Sequence, residues 1–284
     1  MRLLSTVTIL VAFLLGALAP AHARPPGAEQ ILRKAEEVRN PDLDYAVDFT
    51  IHGVSRGTTV VERDASYSMI ARGKDRTVIL MRSPDQLYGA LVLMAENRYW
   101  MLLPKASKPW ELSGAQMMNG DVATGDLARA NLTRGYTVAL SGEEAIDGEA
   151  CWRLELQPEG NAAHYTRIVY WVAKKASLPR KLQYYGRTGA LLKTVLCGDY
   201  RKGALGLRSM RLEIESAREW KEGSTLTFAN LRKIDPAPTS FTPEGMIAFR
   251  DAALLARGAA VANDVALERI LRAMASPQVL APGP

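Results

Sequence analysis

The chain has 284 residues with a formal net charge of +6, from 36 Lys and Arg against 30 Asp and Glu. The basic residues are interleaved with acids, as in Arg33-Lys34-Ala35-Glu36-Glu37, which describes a solvated surface rather than a nucleic-acid-binding stripe. Two cysteines and three histidines, with no H-E-x-x-H and no C-x-x-C, make a poor zinc set, so no metal or cofactor is expected.

The first 23 residues read as a signal peptide. Arg2 supplies the positive end, Leu3 to Leu18 is almost wholly apolar, and Ala21-His22-Ala23 is a small-x-small cleavage site. The expected product starts near Arg24 and is periplasmic. In such an oxidising compartment Cys151 and Cys197, each at the end of a strand-like run, are expected to pair as a disulfide; two buried free thiols are the alternative.

A short helix follows, with Ile31, Ala35 and Val38 on one face and Asn40-Pro41 as its stop. From Leu43 to Leu103 the period changes to two: Tyr45, Val47, Phe49 and Ile51 alternate with polar partners. Thr58–Val61, Ser66–Ala71, Thr77–Met81, Ala90–Met94 and Tyr99–Leu103 continue the series. Short connections imply antiparallel neighbours. Residues 104–131 break the pattern around one short helix at Asp126–Arg129, and read as a movable lid carrying Trp110, Met117 and Met118. Strands resume at Tyr136–Leu140 and Cys151–Leu156, with a turn-like stretch at Glu143-Glu144 before Asp147-Gly148. Arg167 to Val195 is the richest segment, three strands joined at Ser177-Leu178-Pro179 and at Gly186-Arg187-Thr188-Gly189. Both faces of these strands are bulky and apolar, so the sheet must be covered twice or lined around a ligand. Met210–Ile214 and Thr225–Leu231 complete the strands. Thr242 and Pro243 then open a helix that Gly258 closes, and Leu267, Ile270, Leu271 and Met274 form a second amphipathic stripe before an unpatterned tail. No repeat or linker divides residues 24–258, and residues 259–284 read as an extension.

Gly53-Val54-Ser55-Arg56-Gly57 matches the G-x-S-x-G of a nucleophile elbow, but that motif needs a strand-to-helix turn. The β-branched residues after it predict a hairpin, and His52 lies too close in sequence for a separated triad. No catalytic residue is therefore assigned. Met69, Met81, Met94 and Met101 fall on strands, and with Trp100, Trp110, Trp171, Met117 and Met118 they suit a pocket that adapts to irregular apolar ligands.

ILRKAEEVRNP, YWMLLPKASKPWELS at 99–113, GDVATGDLARANL at 120–132 and WVAKKASLPRKLQYYGRTGALLKT at 171–194 resemble the outer-membrane lipoprotein-sorting protein family of the LolA-like superfamily. The resemblance spans roughly residues 27–249; Val122, where members often carry an aromatic, departs from it. It implies a mainly β, α+β fold: a strongly curved antiparallel half-barrel with helices covering the concave face. It further implies a periplasmic, monomeric carrier that holds lipid or lipoprotein acyl chains in a hydrophobic cavity. Such a carrier would work between an inner-membrane transporter and an outer-membrane acceptor. The competing implication is a periplasmic sensor or regulator of envelope state built on the same fold.

Overall fold

The structure, a computed structural model, describes residues 26–56, 60–96, 98–113, 131–160, 165–217, 223–258 and 270. Residues 1–25, residues 114–130 with Met117 and Met118, and all of 259–284 except Ile270 lie outside the described residues.

Helix α1, Ala28–Arg39, forms where expected, with Ile31, Leu32 and Ala35 buried and Glu29 in its first turn, where negative charge suits the dipole. The first strand group is β1 Tyr45–Arg56, β2 Val60–Arg72, β3 Arg76–Ser83, β4 Leu91–Ala95, β5 Arg98–Leu102 and β6 Trp110–Glu111. The second is β7 Tyr136–Ile146, β8 Glu149–Pro158, β9 Arg167–Ala173, β10 Pro179–Tyr185, β11 Leu191–Gly203, β12 Gly206–Ser216 and β13 Gly223–Lys233. Helix α2 is Pro243–Gly258. Each group is a meander of hairpins, and antiparallel pairing of β1 with β13 fuses the two into one 13-stranded sheet. That sheet is open, with β6 at one edge and β7 at the other.

Three sequence expectations are corrected here. Thr58–Val61 and Ser66–Ala71 do not form two strands; Val60 and Val61, the described part of the first, and Ser66–Ala71 both belong to β2, which continues through the charged residues between them. Glu143 and Glu144 lie inside β7, and the turn is confined to Asp147-Gly148, both at positive φ. The helices do not share a face. In β1–β5 the side chains alternate cleanly: Tyr45, Val47, Phe49, Met69, Ile79, Met94 and Tyr99 point to one side, and Ala46, Ile70, Val78, Leu80, Leu91, Leu93 and Leu102 to the other. Both rows are buried, so each needs a cover. Helix α2 supplies one with Met246, Phe249, Ala253 and Ala256, and Ile270 joins the same core at 2% exposure. Helix α1 lies on the opposite side, against Leu154, Leu156, Ile168, Tyr170, Leu182 and Ile214 of the second meander. The two sides are called here the α1 face and the α2 face.

Ser55 sits in β1 opposite Val61 of β2, so Gly53–Arg56 belongs to an antiparallel strand pair and does not open a helix. A nucleophile elbow has no support from this geometry. His52 Nδ1 instead meets Asp64 Oδ1 at 2.7 Å across the same hairpin, with both side chains exposed.

Candidate functional site

Register across the β1–β13 seam makes the α1 face one surface. Phe49 opposes Phe228 and Ile51 opposes Leu226, so the apolar rows of the two meanders run into each other. Ile51 and Phe228 pack against the clusters on both sides of the seam. Over the first meander this surface holds Phe49 stacked on Tyr67 (centroids 4.8 Å apart, planes 10° apart), Phe228 5.8 Å from Phe49, and Met69, Met94 and Met101. Among the described residues no helix packs on this part; the non-strand members of the cluster are Leu112 and Leu205. Thioethers beside aromatic faces make a deformable apolar lining.

Under α1 the surface becomes polar at depth. Glu36, expected on a solvated stretch, is 1% exposed. Its carboxylate accepts two hydrogen bonds from Arg39, both 2.6 Å, one from the Tyr170 hydroxyl at 3.3 Å and one from the Leu132 N–H at 3.3 Å. Burial alone would lower the Arg39 pKa; the adjacent Glu36 carboxylate outweighs it and holds the guanidinium charged. Lys193 Nζ lies 5.1 Å from the Tyr165 ring and 5.0 Å from that of Tyr184, so cation–π contact replaces part of its lost hydration. Burial raises the hydroxyls of Tyr165, Tyr170 and Tyr184, keeping them neutral, and pushes Tyr99 up to about 12.

The tryptophans are not brought together. Trp110, 37% exposed on β6, opposes Met101 and so stands at the rim of the α1 face. Trp100, one residue before Met101, points to the α2 face. There it lines a groove of about 390 Å³ with Arg76, Arg98, Phe241 and Pro243. Trp171 is buried on the outer side of β9, away from α1. Arg153 and Lys181 contact its ring at 5.7 and 4.8 Å, and its indole N–H donates to Glu144 at 2.7 Å.

The expected disulfide does not form. Both cysteines are buried free thiols. Cys151 points away from α1 with Val169 and Trp171, whereas Cys197 belongs to the cluster beneath α1. Strands β9 and β10 lie between β8 and β11, which separates the two by about 14 Å at the usual strand spacing, beyond the reach of a disulfide. Burial pushes the Cys197 thiol up to about 12.

The aromatic row Phe49–Tyr67–Phe228 and the Glu36 network escaped the sequence reading. Period-two alternation in Tyr45–Ile51 could have exposed the first. Nothing local could expose the second, because Tyr170 lies 134 residues from Glu36.

A family model described only as an uncharacterized-protein family matches residues 73–246, more than half of the chain. Among solved structures the chain is similar to a LolA superfamily protein from Nitrosomonas europaea, with 29% identity and a TM-score of 0.70 over 76% of this chain and 98% of that one. It is also similar to a DUF1329 family protein from Desulfovibrio piger (22% identity, TM-score 0.68, 77% and 97% of the two chains). A third likeness is to an outer membrane lipoprotein-sorting protein domain from Vibrio parahaemolyticus (18% identity, TM-score 0.66, 77% and 97%). The last two bear on the fold alone. No curated protein matches the chain.

Proposed function

Since this chain belongs to the family matched over residues 73–246, within the LolA-like superfamily of outer-membrane lipoprotein-sorting proteins, we propose that it is a periplasmic carrier of lipid or lipoprotein acyl chains. The observation that carries this reading is the continuous apolar α1 face over β1–β5. It is built from Met69, Met94, Met101, Phe49 and Tyr67; Met69, Met94 and Phe49 are only 3–4% exposed, so acyl chains would enter by displacing what packs on them. Acyl chains would leave water for this surface, each buried methylene contributing about 0.8 kcal/mol before costs. Trp110 at the rim, with Met117 and Met118 outside the described residues, would complete the entrance. Cargo would arrive from an inner-membrane transporter and leave to an outer-membrane acceptor, the chain itself having been exported by a leader cleaved near Ala23. The mechanism is non-covalent, and the fold suggests a binding protein rather than an enzyme.

The test is lipid extraction and mass spectrometry of protein purified from an envelope extract, followed by titration with a fluorescent fatty-acyl probe. Met101→Asp, at the half-buried margin opposite Trp110, places a charge where acyl chains would enter while leaving the buried core residues in place. It should abolish probe binding while far-ultraviolet circular dichroism is retained. Absence of lipid in the extract together with no probe binding by the parent would end the carrier reading.

A further inference from the structure

Strand β7 closes the sheet at its second edge, and its outer side pairs with no described residue. Which of its backbone groups face outward follows from one bond. The Glu159 N–H donates to the Gly135 carbonyl at 2.8 Å, so in the antiparallel ladder Thr137 and Ala139 direct their N–H and C=O toward β8. Tyr136, Val138 and Leu140 therefore direct theirs away from the sheet. Pro158, which has no N–H to give, opposes Tyr136, as this parity requires. The side chains of the same three residues lie on the α1 face: Tyr136 and Val138 pack against the core under α1, and Leu140 is 39% exposed.

Long edge strands are ordinarily protected by charge, proline or a bulge. The second half of β7 has such devices: a register shift between Leu140 and Gly142, Gly142 at φ 144°, and then Glu143 and Glu144. Tyr136–Leu140 has none.

We propose that Tyr136–Leu140 is a docking edge for an extended segment of a partner polypeptide, which adds to the sheet as a further strand of about five residues. Three outward donors and three outward acceptors supply the main-chain ladder. The half-exposed row Tyr136, Val138, Leu140 selects apolar residues at alternate positions of the incoming segment, since those are the ones that would cover it. Beyond the bulge, Glu143 is 56% exposed and already bound to Lys174, so the apolar row and not charge sets the preference of the edge. Five residues bury far less than the roughly 1,000 Å² a stable protein dimer needs, so the occupant is a peptide segment and not a second copy of this chain. The proposal does not depend on the carrier reading.

The experiment uses a fluorescein-labelled Lys-Thr-Val-Thr-Val-Thr peptide and fluorescence polarisation against the full chain. Binding below about 1 mM is expected, with Val138→Pro weakening it about tenfold or more. That N–H takes no part in the β8 ladder, so the variant keeps its strand. The same peptide N-methylated at alternate residues leaves the protein untouched and should also fail to bind. No binding of the parent peptide at 1 mM, or equal binding by Val138→Pro and by the N-methylated peptide, would overturn the proposal. So would a concentration-dependent dimer in sedimentation velocity that Val138→Pro abolishes, because the edge would then serve a second copy.

Discussion

Glu36 shows how far a single residue's role can lie from its local sequence. Four donors converge on it from α1, β9 and the chain at Leu132, so it ties three separate segments together. Removing one partner of a buried, hydrogen-bonded ion pair is far worse than never having built it. Glu36→Ala should therefore cost about 3–5 kcal/mol in urea denaturation. Glu36→Gln, which keeps one acceptor, should cost clearly less. Next to Arg33-Lys34 and Glu37 the residue reads as surface, and only a contact 134 residues away makes it core. The three tryptophans are kept apart for a different reason. Aromatic bulk carries no parity, and Trp100 and Met101, neighbours on one strand, cannot both face the same side.

Titration gives a second residue-level prediction. Cys197 and Tyr99 have their folded-state values raised to about 12 by burial, so between about pH 9 and 12 the unfolded chain has lost protons that the native one keeps. A raised value contributes stability that is present below the unfolded pKa and lost as pH rises through the folded one. The urea midpoint should therefore fall steadily above about pH 9. At pH 8 a thiol reagent should leave Cys197 unmodified in the native protein and count two thiols after denaturation. A count of zero would restore the disulfide.

At the scale of elements, local rules were most legible where they needed no distant partner. Helix α2 was readable because its cap is contiguous: the Gly245 N–H donates to Thr242 Oγ1 at 3.0 Å, with Pro243 as the first helical residue. Thr242→Ala should cost about 1 kcal/mol in the same assay. Gly245 carries a second constraint that no propensity reveals, because a Cβ there would overlap the Thr239 carbonyl oxygen. Gly245→Ala, normally favourable inside a helix, should instead destabilise by about 1–3 kcal/mol. Strand existence and antiparallel order followed from alternation and short turns. Which half of the sheet each helix would cover did not, since alternation marks two faces without saying which one a helix takes.

Across the whole molecule, the two faces have separate work. The α2 face is a packed core, with Ile270 set among Ala253, Ala256 and Phe249, so part of the C-terminal extension belongs to the fold. The α1 face carries the apolar surface proposed to receive acyl chains. A cavity substitution on one face and a charge on the other should then separate stability from binding. Ile270→Ala should cost about 2–5 kcal/mol, while the acyl-probe affinity of the remaining folded protein stays at the parent value. Met101→Asp, at a half-buried position, should do the reverse to affinity. A loss of probe binding in Ile270→Ala, measured where the variant is still folded by circular dichroism, would mean that the binding surface extends through the sheet to the α2 side. Single-residue changes on β1–β5 would then be expected to alter both properties together, because Met94 and Leu93 are adjacent on one strand and serve opposite faces.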